Sequence, residues 1–80
     1  MDLNKNFSTI LNIIKSEQQK SITEFSEELE ISRSALQEYL AGSGNPNLTT
    51  IEHIAQKLNV SPYFLLLGDF KEEQLGAAPL

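Results

Sequence analysis

The chain has 80 residues, 40% of them hydrophobic, which is enough for one compact core and too few for two. It contains no cysteine, and this excludes disulfide bonds and thiolate chemistry. Six basic and eleven acidic side chains give a formal net charge of −5, which excludes a binding mode that depends on overall attraction to phosphates.

Helical periodicity begins near the N-terminus. The apolar residues between positions 3 and 14 recur at helical spacing and predict a first helix of about three turns. The following residues, 15–20, are mostly polar. Ser21 then stands three residues before Glu24 and ahead of Phe25 and Leu29, which is the capping-box pattern at a helix start. The sequence therefore predicts a second, short helix after Ser21.

A third helix is predicted after an interruption at Glu30 and Ile31. Ser32 is a suitable cap for its start, and Gly42 is a suitable stop because glycine adopts a positive φ without strain. Its apolar stripe consists of Ala35, Leu36, Tyr39 and Leu40. The segment GSGNPN that follows is a loop by composition.

The fourth helix is predicted from a second capping-box spacing. Thr49 and Glu52 have this spacing, so Thr49 is expected to cap the helix. Leu48 and Val60 lie on either side of the helix and are expected to close the core. Periodicity assigns to the core Leu29, Leu36, Leu40, Ile51, Ile54, Leu58 and Phe64.

The fifth helix is short and rich in apolar residues. Ser61 and Pro62 suit its cap and its first position. Since a short one-sided helix does not need so many apolar residues, one of Tyr63, Leu67 and Phe70 is expected at the surface, where it suits a homodimer interface. The alternative is that these residues form a buried cap on the core.

These elements predict one all-α domain over residues 1–70 and a flexible tail over residues 71–80, because the tail has little to bury. The second and third helices are joined by LEIS. Two helices with such a short link are typical of the DNA-binding helix-turn-helix, whose second helix lies in the major groove. Such pairs also occur in helical proteins that bind no nucleic acid.

Two blocks of sequence resemble a known family. Residues 21–42, SITEFSEELEISRSALQEYLAG, resemble the helix-turn-helix of the Cro/C1-type family, the phage-repressor-like and XRE-like transcriptional regulators. Residues 45–69 are similar to the family stretch P-x-L-x-x-L-x-x-I-A-x-x-L-x-V-S and the aromatic, paired leucines and glycine after it. The resemblance implies a compact five-helix, lambda-repressor-like domain that binds double-stranded DNA as a dimer on an inverted repeat, most often as a repressor.

The resemblance also implies which residues read the bases. In the family the outer face of the third helix meets the major groove, and the matching residues here are Arg33, Ser34, Gln37 and Glu38. Arginine bonds guanine, glutamine bonds adenine, glutamate accepts from cytosine, and serine is permissive. The alternative is a solvated helix face on which Arg33 and Gln37 interact with each other.

Phosphate contacts are implied at the start of the second helix and in the loop after the third. Four residues stand at these positions, Ile22, Ser43, Gly44 and Asn45, and two further candidates, Lys20 and Thr23, are close to Ile22 in sequence. Many relatives carry glutamine at the position of Ile22, and isoleucine cannot make that side-chain bond. Since these positions supply little charge, we expect moderate affinity from one domain, a weak salt dependence and a gain from dimerisation.

Catalysis and metal binding are not expected. His53 is the only histidine and falls on the polar side of the fourth helix, so a surface histidine is expected rather than a ligand. The sequence has no glycine-rich phosphate loop and no nucleophile elbow, which predicts no cofactor and no small-molecule substrate. With no secretory signal and no membrane-length apolar run, we expect a soluble, cytoplasmic protein.

A second hypothesis uses the same fold for another purpose. A helix-turn-helix module can bind a protein instead of DNA, as an antirepressor or an antitoxin-like partner does. The acidity of the chain and the isoleucine at position 22 suit this alternative.

Overall fold

The computed structural model describes residues 2–67, and in this range it contains five α-helices and no β-strand. The helices are α1 (Leu3–Gln18), α2 (Ile22–Leu29), α3 (Arg33–Ala41), α4 (Leu48–Leu58) and α5 (Pro62–Leu67). The all-α class and the helix-turn-helix formed by α2 and α3 are thus confirmed. Phe70 and the predicted tail over residues 71–80 lie outside the described residues.

The first helix is longer than its apolar pattern predicts. It has 16 residues, about four turns, and begins after Asp2, whose carboxylate accepts a hydrogen bond from the Lys5 amide at 3.1 Å. It ends at Gln19, which has a positive φ of 54°. Its polar last turn contains good helix formers and extends beyond the core, so the apolar pattern stops before the helix does.

The predicted ends of α2 and α3 are confirmed. Ser21 and Glu24 cap α2 reciprocally, with the Glu24 amide donating to Ser21 Oγ at 3.1 Å and the Ser21 amide donating to Glu24 Oε1 at 2.9 Å. Glu30 ends α2 with a φ of 56°, and Ser32 Oγ then accepts from the Ala35 amide at 3.0 Å. The turn between the helices is therefore specified by local capping on both sides.

The predicted start of α4 is wrong. Asn47, not Thr49, is the cap, and its side chain accepts from the Thr50 amide at 2.8 Å. Asparagine caps a helix at least as well as threonine does, and with this start Thr49 lies inside the first turn. The prediction that Leu48 closes the core is also wrong, since its side chain is 73% exposed. Val60 does pack against the core.

All five helices contribute to one core. The largest fully buried side chains are Phe7, Leu11, Phe25, Leu29, Leu36, Ile54 and Leu65. Leu40 and Leu58 are partly buried at its edge, as is Ile22. The prediction that Phe64 belongs to the core is wrong, because its side chain is 42% exposed while that of its neighbour Leu65 is buried. A one-residue error in a six-residue helix turns the inward position by about 100°.

None of the five described helices is both long enough and apolar enough to cross a membrane.

Candidate nucleic-acid interface

The outer face of α3 carries four polar side chains, which we call the presented face. All four are exposed: Arg33, Ser34, Gln37 and Glu38. Leu36, on the same helix, is fully buried, so the division into a core side and an outer side is as predicted. Within residues 2–67 the side chains of the presented face make no hydrogen bond with each other or with the rest of the protein. Their polar groups are therefore available to a ligand.

The fourth helix contacts the turn that leads into α3. His53 Nε2 lies 2.7 Å from the carbonyl oxygen of Leu29, and the ring nitrogen must donate because a carbonyl oxygen only accepts. The prediction of a simple surface histidine is therefore wrong, since His53 is half-buried and joins α4 to the end of α2. Within the described range, no three histidine or acidic side chains are grouped closely enough to hold a metal ion.

Two ion pairs occupy lysines near the helix-turn-helix. Lys20 Nζ lies 2.6 Å from Glu28 Oε1, and Lys57 Nζ lies 2.7 Å from Glu30 Oε2. Lys20 was a candidate phosphate contact, and a phosphate there would compete with Glu28 for its ammonium group. The two side chains are partly exposed, at 33% and 26%, so water can replace Glu28 at the lysine during such an exchange. Arg33 is the one cation of the presented face.

Two carboxylates fix negative charge at the ends of α2. The Ser21 backbone amide donates to Glu24 and, together with the Ser21 hydroxyl, lowers the pKa of that carboxyl from its ordinary value of 4.5. The hydrogen bond from Lys57 lowers the pKa of Glu30 in the same direction. Both groups are consequently ionised at neutral pH, and a phosphate approaching α2 meets negative charge at each end of the helix.

The start of α2 offers backbone donors but little charge. Ile22 is half-buried and packs against the core, which gives this position a structural reason to be apolar. The amides of Ile22 and Thr23 have no hydrogen-bond acceptor within residues 2–67, whereas those of Glu24 and Phe25 donate to Ser21. Thr23 also exposes its hydroxyl. Free amides at a helix N-terminus suit an anion, and the phosphate contact itself stays a prediction.

The backbone of the loop after α3 is hydrogen-bonded to the end of that helix. The amides of Ser43 and Gly44 both donate to the carbonyl oxygen of Glu38, at 3.0 and 3.1 Å, and so are not free for a phosphate. Gly44 is buried, and a Cβ atom there would lie 2.5 Å from Tyr39 Cδ1. The glycine is therefore required by the Tyr39 ring. The loop exposes the polar side chains of Ser43, Asn45 and the α4 cap Asn47, and Ser43 Oγ donates to the Glu38 carbonyl oxygen at 3.4 Å.

Reasoning from the sequence missed the contribution of α1. Asn4, Ser8 and Asn12 are spaced four residues apart and donate hydrogen bonds to carbonyl oxygens of α3 and its following loop. Their i, i+4, i+8 spacing was a visible signal of a polar stripe on one helix face. Their acceptors are about 30 to 40 residues away in the chain, so the pattern alone did not identify what the stripe contacts.

The fifth helix exposes apolar side chains. Tyr63 is 73% exposed and Leu67 is half-buried, whereas Phe70, the third candidate for a dimer interface, lies outside the described range. Nearby, an open cavity of about 310 Å³ is mostly apolar. It is lined by Leu3, Asn4, Phe7, Asn45, Pro46, Leu48, Ile51 and Leu66. We call the apolar end the surface formed by Leu3, Leu48 and Leu66 of this lining together with the outer side of α5.

Comparison with known proteins concerns the motif formed by α2 and α3. A family model described as helix-turn-helix (HTH_3) matches residues 10–65, which run from the middle of α1 into α5 and include both helices of the motif. No curated protein and no solved structure matches the chain. Proteins of the matched family are DNA-binding regulators and not enzymes. The chain therefore belongs to the Cro/C1-type helix-turn-helix family.

Proposed function

We propose that the chain is a cytoplasmic, sequence-specific repressor that binds an inverted repeat in double-stranded DNA as a homodimer. The observation that carries the proposal is the presented face, whose polar side chains are exposed and unbonded within a matched helix-turn-helix. Arg33 has the fork geometry to bond guanine O6 and N7, and Gln37 can bond adenine N6 and N7. Glu38 can accept from cytosine N4, and Ser34 tolerates more than one base.

Phosphate binding rests mainly on neutral donors in this proposal. The free amides of Ile22 and Thr23 hold one phosphate at the start of α2, and the side chains of Ser43 and Asn45 approach another. Lys20 joins when it leaves Glu28. Since few cations are involved, few counterions are released, and the binding constant should fall only weakly as salt rises.

Dimerisation is proposed through α5. Tyr63 and Leu67 supply apolar surface there, and Phe70 follows three residues later in the sequence. A pair related by two-fold symmetry can place two α3 helices about 34 Å apart, in successive major grooves. Leu67→Glu should remove the concentration-dependent mass in light scattering. The control Ile13→Glu changes an exposed residue of α1 and should not; an unchanged monomer mass for the parent chain would contradict the dimer.

A protein partner is the second candidate function. The two lysines paired with glutamates and the net charge of −5 both weaken attraction to DNA, and they favour a surface that meets another protein. In that case the presented face, or the apolar end, contacts the partner without DNA.

Selection from random duplex DNA, followed by salt titration of the enriched sequence, distinguishes these functions. We expect an enriched motif of two inverted half-sites and a shallow dependence of the binding constant on salt. No enrichment at low salt would contradict sequence-specific DNA binding and favour the protein-binding alternative.

A further inference from the structure

We propose that Asn4, Ser8 and Asn12 of α1 are positioning residues for DNA reading. We call them the α1 stripe. They touch no base in this proposal but fix the end of α3 and the loop after it, and so set how the presented face enters the major groove. The inference rests on the proposed DNA-binding function and assigns to α1 a part in its specificity.

The middle and last residues of the stripe hold the end of α3. Ser8 Oγ and Asn12 Nδ2 both donate to the carbonyl oxygen of Leu40, each at 2.8 Å. Ser8 is buried, and Asn12 Nδ2 also donates to the Ser8 carbonyl oxygen at 2.9 Å, which restrains the amide. Leu40 lies in the last turn of α3, where carbonyl groups have no acceptor role left inside the helix. Another helix therefore supplies both donors.

The first residue of the stripe holds the loop. Asn4 Nδ2 donates to the carbonyl oxygens of Gly44 at 2.8 Å and Gly42 at 3.3 Å. The amides of Ser43 and Gly44 donate back to Glu38. Loop carbonyl groups are thus bound to α1 while loop amides are bound to α3, so the two segments are fixed relative to each other.

An aromatic contact also joins α1 to the end of α3. The rings of Phe7 and Tyr39 meet edge to face, with centroids 5.6 Å apart, and Tyr39 in turn packs against Gly44. The polar and apolar contacts of α1 therefore reach the same end of α3. The presented face carries one cation, Arg33, so in this proposal discrimination depends on the placement of a few side chains rather than on an excess of positive charge. Such groups lose their bonds to bases when a helix shifts by about 0.5 Å.

The preference for the enriched sequence separates a positioning role from an effect on folding stability. This preference is the ratio of two affinities, one for a duplex with one enriched half-site and one for a random-sequence duplex of equal length. A loss of folded protein weakens both by the same factor, so the ratio does not change. A misplaced α3 weakens binding to the enriched half-site. It leaves binding to the random-sequence duplex unchanged, because that binding depends on phosphates. One half-site is used so that dimerisation does not enter.

The variants are Asn4→Ala and Asn12→Ala, with Asn6→Ala as the matched control. Asn6 is an asparagine of the same helix, and its Nδ2 donates to a backbone carbonyl at 3.1 Å, but that carbonyl belongs to Leu66 of α5. We expect the ratio to fall about tenfold in each stripe variant, which is the size of one net hydrogen bond, and to stay unchanged in the control. Asn4→Ala keeps the test open if Asn12→Ala does not fold.

Each other result overturns the inference. An unchanged ratio in folded stripe variants overturns the positioning role and leaves DNA binding intact. An equal fall in Asn6→Ala shows a general effect of α1 and overturns it too. A parent chain with no preference for any duplex overturns the proposed function and, with it, the role of the stripe.

Discussion

The helix-turn-helix and the apolar end expose opposite kinds of surface. On α3 Leu36 is buried and Tyr39 and Leu40 are partly buried, whereas the four side chains of the presented face are polar, exposed and unbonded. At the apolar end, Leu48 and Tyr63 are largely exposed, and Phe64 and Leu3 partly so. Hydrated donors and acceptors in a fixed arrangement suit base edges, whereas apolar surface suits another protein, including a second copy of the chain. The two kinds of surface match the two contacts that we propose, one with DNA and one with a second copy of the chain.

The largest expected effect compares one leucine from each region. Leu36→Ala removes a fully buried side chain beneath the presented face and should lower the free energy of unfolding by about 2–5 kcal/mol. Leu48→Ala changes a side chain that is 73% exposed and should change the free energy of unfolding by less than about 0.5 kcal/mol. Urea denaturation measures both. Similar losses in the two variants would mean that the apolar end is part of the core.

The next effect concerns DNA alone. Arg33→Ala should cost about 1–3 kcal/mol at one base position of the enriched sequence and relax the preference there. Lys5→Ala removes an exposed cation from α1 and is the control for charge. Binding titrations with each base substituted at that position provide the measurement. If both variants weaken all sequences equally, Arg33 contacts a phosphate and does not read a base.

A smaller effect tests the start of α4. This helix contacts α2 and carries Leu48 of the apolar end. Asn47→Ala should destabilise the protein by about 0.5–2 kcal/mol, because the Thr50 amide loses its acceptor. Thr49→Ala lies inside the helix and should change little. Thermal unfolding of the two variants measures the difference. A larger loss for Thr49→Ala would restore the start predicted from the capping-box spacing.

The smallest effect is on acid stability and is confined to the ends of α2. The folded-state pKa values of Glu24 and Glu30 lie below 4.5, so the stability from their ionised forms is present above that pH. It is lost as the pH falls through the lowered values. Glu24→Gln should reduce this acid loss in urea titrations, and the exposed Glu17→Gln should not. An identical acid profile for Glu24→Gln and the parent chain would contradict the capping contribution.

The helix-turn-helix could be predicted from sequence because its signals are local. Ser21 with Glu24, Ser32 and Gly42 each act within a few residues, and each was confirmed at its predicted end. The exposed side of α3 followed from the burial of its apolar stripe, since 3.6 residues per turn leave one outer side. Whether that side reads bases stays a prediction.

The rest could not be predicted because it depends on distant contacts. Asn47 and Thr49 are both acceptable caps, so capping preference alone does not select between them. In α5, six residues are too few for periodicity to distinguish Phe64 from Leu65. The acceptor of Asn4 lies 40 residues away, so its role depends on the fold.

Amide chemical shifts of a labelled protein, titrated with random-sequence duplex DNA at low salt, test most directly which surface meets DNA. We expect the largest changes at Arg33, Ser34 and Gln37 and at the free amides of residues 22–23, with little change at the apolar end. Changes confined to Leu3, Leu48 and Leu66, with none on α3, would contradict DNA binding by the presented face.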